Sequence, residues 1–178
     1  MKQSNTCRAC GEEKKQELFS QSRGRENLCK KCRSNQRYLN GEYDIERLRK
    51  HKLRGSNVTL SVPQMQEMLS EGHCTYCGQD FTASELTLDH IFPIASRFNE
   101  TDLGNVVPAC RSCNAVKQDK HVLTFHRESD VFTDELYRQF VEHYTSVLFC
   151  GSCTADEIAE VDRFLFETAE EYERACTN

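Results

Sequence analysis

Ten of the chain's eleven cysteines fall in five Cys-x-x-Cys pairs: Cys7/Cys10, Cys29/Cys32, Cys74/Cys77, Cys110/Cys113 and Cys150/Cys153. Two thiolates at this spacing converge on one tetrahedral ion, so two pairs close a structural zinc site. Cys7, Cys10, Cys29 and Cys32 are expected to form one site, and Cys74, Cys77, Cys110 and Cys113 a second. Between the central pairs lies Asp89-His90, at the end of the alternating run Leu86-Thr87-Leu88. A carboxylate can hold a divalent cation, and a neutral imidazole, with a reference pKa near ~6.5, can take a proton from water. Taken alone, the acid and histidine are equally a hydrogen-bonded polar end of a strand.

The elements that must position this pair can be read around it. Alternation at Leu86 and Leu88 suits a strand, and Val106-Val107-Pro108 suits a returning one. The stretch Arg111–Lys120 suits a helix carrying Asn114, with Lys117 one turn on. Neighbouring residues of a strand point to opposite faces, so Asp89 and His90 share a site only where the strand ends or bends. Pro93 makes such a break reasonable. The 32 residues between the central cysteine pairs leave room for a hairpin to depart from the first pair and return to the second.

This ordered set resembles the HNH (His-Me finger, ββα-metal) endonuclease family. The resemblance rests on Cys74-x-x-Cys77, Leu88-Asp89-His90-Ile91 with Pro93, Gly104-Asn105-Val106-Val107-Pro108, and Cys110-x-x-Cys113-Asn114-x-x-Lys117, over about residues 56–125. It implies a small α+β fold: a zinc-bound ββα-metal nuclease core, with an N-terminal zinc ribbon and a C-terminal helical hairpin beside it. His90 matches the general base and Asp89 a ligand of the catalytic ion. Asn105 matches the asparagine that orients the base, and Asn114 stands where the last histidine of the family name would, an H-N-N version. Carboxylate and amide oxygens suit a hard cation, Mg²⁺ or Mn²⁺. The implied reaction is one-metal hydrolysis of a phosphodiester in DNA, leaving 5′-phosphate and 3′-hydroxyl ends. A different class remains open: a catalytically inactive zinc-dependent module on a degenerate HNH fold that holds DNA or protein. The upstream segment resembles arrangements in phage-encoded HNH proteins.

Charge is unevenly placed. Residues 1–55 hold 15 Lys/Arg against 7 Asp/Glu, residues 56–127 hold 5 against 8, and residues 128–178 hold 3 against 13, within a formal net charge of −5. A basic arm is the footprint of a nucleic-acid partner, here double-stranded DNA. Lys30, Lys31, Arg33, Arg37, Arg47, Lys50 and Arg54 are its expected phosphate contacts, with Arg97, Lys117 and Lys120 beside the central site. The acidic tail would be repelled by the same ligand and is expected to pack on the core or meet a protein partner.

Four segments follow: a four-cysteine zinc ribbon at 1–40, a basic helix or linker at 41–55, the nuclease core at 56–127 and an acidic helical hairpin at 128–178. In the basic segment, Ile45, Leu48 and Leu53 are expected on one helical side. Capping boxes are expected at Ser61/Gln64 and Thr154/Glu157, and apolar residues at Leu136, Phe140, Tyr144 and Leu148 recur at helical spacing. The polar stretch MKQSNTCRAC is unlike a signal peptide, and no apolar run approaches the roughly 20 residues of a membrane helix. The expected setting is the cytoplasm of a bacterial or phage-infected cell. Cys150 and Cys153 are expected at a hairpin bend and not at a third metal site.

Overall fold

A computed structural model describes residues 4–19 and 27–176, and divides the chain into two compact units, 1–47 and 48–178. Part of the expected ribbon, residues 1–3 and 20–26, lies outside the described residues.

In the first unit, strands β1 (Ser4–Thr6) and β2 (Glu13–Lys15) pair antiparallel, with Ser4 opposite Lys15. The Cys7–Cys10 knuckle forms the turn between them, closed by the Gly11 amide donating to the Cys7 carbonyl at 2.8 Å. Gly11 has φ +71, a left-handed conformation that glycine adopts without a Cβ penalty. Cys7, Phe19, Leu28 and Cys29 are the buried apolar core, with Cys32 packed against them. Four buried residues among those described cover too little surface to hold a fold alone, and a metal on the four thiols would supply the remaining stability. Helix α1 (Lys30–Leu39) begins directly after Cys29, an element that the density of charge there had concealed.

Helix α2 (Glu42–Leu53) carries the division between the units. Its expected apolar side is not a buried stripe: Ile45 and Leu53 are 60% and 74% exposed, and Leu48 alone of the three packs against the larger core. The helix also buries the polar side chain of Asp44, with Arg47 3.6 Å away.

The second unit is built on β4 (Leu86–His90) and β6 (Val106–Cys110), antiparallel with Leu86 opposite Cys110 and His90 opposite Val106. Helix α4 (Arg111–Lys117) follows β6 without a loop and packs back on both strands. Two short strands, β3 (Asn57–Val58) and β5 (Glu100–Thr101), pair parallel at one side. Helix α3 (Val62–Ser70) has the full capping box, with Ser61 and Gln64 each satisfying the other's backbone amide, and it packs Met65 and Leu69 into the core.

Helices α5 (Val122–Glu128), α6 (Asp134–Leu148) and α7 (Ala155–Cys176) complete the unit. Phe140 and Tyr144 of α6 are buried, as are Val161 and Leu165 of α7, but Leu148 is 43% exposed at the helix end. Thr154 and Glu157 form the expected box at the start of α7. The 22 residues of α7 extend about 33 Å at 1.5 Å per residue, which separates Cys176 from Cys153. Cys150, with φ 56, makes the bend before it. Among the described residues, no helix is long and apolar enough to cross a membrane.

Candidate active site

Two sets of four thiols are assembled: Cys7, Cys10, Cys29 and Cys32, and Cys74, Cys77, Cys110 and Cys113. Within each set the sulfur atoms lie within 4.8 Å of one another. Four soft thiolates at this separation are the donor set of tetrahedral zinc. The thiols of each set are shifted in both directions: contact with Cys29 raises Cys32, and burial raises Cys74 and Cys113, while Cys7 and Cys110 are lowered. Amide bonds from Cys29 and Cys10 draw the Cys7 thiol down to about 6. Burial raises Cys110, but bonds from Ser112 and the Cys113 amide outweigh it and bring that thiol to about 7.

The second set ties the start of β6–α4 to the Cys74–Cys77 turn. Cys110 caps α4 by accepting the Cys113 amide, and so sets where Asn114 and Lys117 emerge. Tyr76, inside the first knuckle, is fully buried and donates its hydroxyl to Asp89 Oδ2 at 2.6 Å. The structural cluster and the acid are therefore joined by one side chain.

At the far end of the ladder the strands part. The Ile91 amide still reaches the Asn105 carbonyl at 2.9 Å, but the Phe92 amide donates instead to Asn105 Oδ1 at 2.8 Å. Asn105 Nδ2 then donates to the carbonyls of Phe98 (2.9 Å) and Glu100 (2.8 Å). One buried amide thus holds both ends of the 92–100 loop. Both Asp89 and His90 are within β4, opposite Val107 and Val106, and the strand ends at His90, so no break separates the pair. Both side chains line one cavity of about 140 Å³, along with His51, Arg54, Asn114 and Lys117.

Asn114 Nδ2 donates to Thr87 Oγ1 at 2.9 Å and to the Leu88 carbonyl at 3.2 Å. Those bonds orient the amide, and its Oδ1 has no hydrogen-bond partner among the described residues. Asp89 Oδ2 accepts from Tyr76 and lies 3.0 Å from Lys117 Nζ, which also donates to the His90 carbonyl at 2.6 Å. A carboxylate has about four acceptor positions, so these two contacts leave room for a cation. Burial pushes the Asp89 carboxyl above its usual range, with Lys117 and Tyr76 opposing the rise. His90 is moved the other way, down to about 3, by burial first and then by His51, Lys117 and Arg54. It is neutral throughout the physiological range, as a proton acceptor must be.

The expected phosphate contacts divide. Arg54 lines the cavity. Lys117, expected to face a flanking phosphate, is 1% exposed and sits behind Asp89 instead. Arg97 pairs with Glu171 at 3.0 Å, and Lys120 with Glu128 at 2.5 Å, both outside the cavity. In the first unit Arg37 pairs with Glu42 and Arg47 lies 3.6 Å from Asp44, whereas Lys30 and Lys31 are exposed; in the second, Lys50 is exposed too. Tyr76, His51 and Thr101 had no sequence signal, because nothing periodic or spaced marks a contact between distant segments. His121 stays out of the site: it caps α5 and reaches Thr168 at 3.2 Å.

The buried ion pair has a measurable consequence. Lys117→Ala would leave the Asp89 charge uncompensated, and should lower the unfolding free energy by roughly 3–5 kcal/mol. The same change with Asp89 already Asn should cost markedly less. Denaturant titration of the zinc-loaded proteins checks the difference, and equal losses would show that the pair is not coupled.

Residues 74–130 match a family model described as HNH endonuclease. No curated protein matches the chain. Among solved structures it is similar to one described as the Type II-C Cas9 enzyme from Actinomyces naeslundii, at 18% identity and a TM-score of 0.35, covering 78% of this chain and 16% of that one. At that score the likeness carries no argument.

Proposed function

Taking residues 74–130 as an HNH endonuclease segment, we propose that this chain is a divalent-metal-dependent DNA endonuclease whose hydrolysis leaves 5′-phosphate and 3′-hydroxyl ends. The observation that carries the proposal is the single cavity shared by Asp89, His90 and Asn114, with a hairpin that ends at His90. On this reading β4, β6 and α4 are a ββα-metal core. The ribbon at 1–40 and the basic helix at 41–55 supply phosphate contacts, and the acidic hairpin at 128–178 supports the core or meets a protein.

A phosphodiester resists attack because it is anionic and its leaving alkoxide is poor. Asp89 and Asn114 present hard oxygen donors, so Mg²⁺ or Mn²⁺ held there would polarise the phosphate and stabilise the departing 3′ oxygen. His90 takes the proton of the attacking water. An anionic phosphate entering the cavity favours protonated imidazole, which raises the basicity of His90 when it is needed. Asn105 keeps the 92–100 loop, and with it His90, in place. Arg54 is suited to a non-bridging phosphate oxygen.

One observation favours a second reading. Lys117 already neutralises Asp89 at 3.0 Å, which weakens the carboxylate's hold on a cation and suits a non-catalytic zinc module that binds DNA or protein. Plasmid nicking assays separate the two. Cleavage in Mg²⁺ or Mn²⁺ that disappears with EDTA, while zinc content stays at two per chain, is expected for the nuclease. Binding without nicking in either metal would establish the inactive module.

A further inference from the structure

The hydrogen bonds around His90 can be given directions one at a time, because each hydroxyl carries one proton. Ser56 donates from Oγ to the Asn99 carbonyl at 2.5 Å, and a carbonyl only accepts. That commits the Ser56 proton, so the 2.6 Å contact between Ser56 Oγ and Thr101 Oγ1 has Thr101 as its donor. The Thr101 proton is then committed as well. Its oxygen must accept from the two histidines it touches, His90 through Nε2 at 2.8 Å and His51 through Nδ1 at 3.2 Å.

The geometry points to Ser56 and Thr101 as positioning residues that fix the tautomer of His90, placing its proton on Nε2 and leaving Nδ1 as the basic nitrogen. The inference rests on His90 being the base of the proposed reaction. Nδ1 has no hydrogen-bond partner among the described residues, and His90 lines the cavity. Were Thr101 to donate to Nε2 instead, Nδ1 would carry the proton and His90 could not accept one from water through it.

The backbone builds this relay. The Ser56 side chain reaches Asn99 because β3 and β5 run parallel, with Asn57 opposite Glu100. The Asn57 amide donates to the Asn99 carbonyl at 3.2 Å, and the amides of Thr59 and Leu60 both donate to the Thr101 carbonyl, at 3.1 and 3.0 Å. Thr101 is fully buried and Ser56 is 5% exposed, so water does not compete for the hydroxyls. Ser56 and His51 lie outside the matched segment 74–130, so the proton on the base is set in part by residues upstream of it. His51, its ring centroid 4.9 Å from that of His90, is held by the same Thr101 oxygen.

The test uses the full-length, zinc-loaded chain labelled with ¹⁵N-histidine. Long-range ¹H–¹⁵N correlation of the wild type should show His90 protonated at Nε2 and bare at Nδ1. Thr101→Val removes the acceptor and should mix the tautomers. It should also reduce kcat for plasmid nicking by about 10- to 100-fold, the usual cost of losing an orienting partner, with KM unchanged. Thr101→Ser keeps the hydroxyl and should restore both the tautomer and most of kcat. Ser56→Ala releases the Thr101 proton to point at His90, so both tautomers should appear even if Thr101→Val folds poorly. A wild-type Nδ1–H tautomer, or a tautomer unchanged in Ser56→Ala, would overturn the inference. If the wild type does not nick plasmid with any divalent metal, the nuclease reading fails, and the tautomer measurements still decide the relay.

Discussion

His90→Ala is expected to remove plasmid cleavage while leaving zinc content and DNA binding in place. A positioned general base is worth about 10²–10⁴-fold in rate. The other histidine in the cavity, His51, is tied through Nδ1 to Thr101. The substitution should be tolerated by the fold. The His90 side chain has one described hydrogen bond, to Thr101, and lies at the end of its strand next to open cavity. Its backbone carbonyl, which accepts from Lys117, is unaffected. The measurement is supercoiled plasmid converted to nicked or linear product, alongside elemental analysis and a DNA-binding titration. A mutant that cuts at the wild-type rate removes His90 from the reaction.

The second large effect belongs to the central thiols. Cys110→Ser should lower zinc from two per chain to one and abolish the cooperative unfolding of residues 48–178. Structural zinc contributes on the order of 10–16 kcal/mol of apparent binding free energy to small metal domains, more than most domains have in total. The position matters as much as the ligand count. Cys110 ends β6, caps α4 and stands opposite Leu86, so losing it disturbs the helix that carries Asn114 and Lys117. Cys7→Ser should also remove one zinc, yet leave the unfolding transition of the larger unit intact, because Cys7 belongs to a separate core. Calorimetry with metal analysis reads both. An unchanged transition in Cys110→Ser would show that the thiols there are not a structural metal site.

These two sites were legible in the chain to different depths. The cysteine sets were readable because Cys-x-x-Cys spacing is itself the geometry of a chelate, whatever the rest of the chain does. The boxes at Ser61/Gln64 and Thr154/Glu157 were readable because a cap involves residues three apart. Burial was read less well. Ile45 and Leu53 sit at apolar positions on α2 but face solvent, since helical spacing says which residues share a side and not whether anything covers it. Helix α1 was missed because its charge masks any apolar stripe.

What the amino-acid order determined by itself is local: two thiol clusters, a strand–loop–strand–helix order between the central pairs, and an acid, a histidine and two asparagines placed along it. Only the tertiary structure decided what each polar atom does. It buried Lys117 behind Asp89, 28 positions away, where a phosphate contact had been expected. It brought Ser56 to Thr101 across 45 residues, and so gave the His90 proton a direction. Such contacts carry no signature in spacing or periodicity. They exist because the fold closes water out of one small cavity, and every polar group left inside must find a partner there.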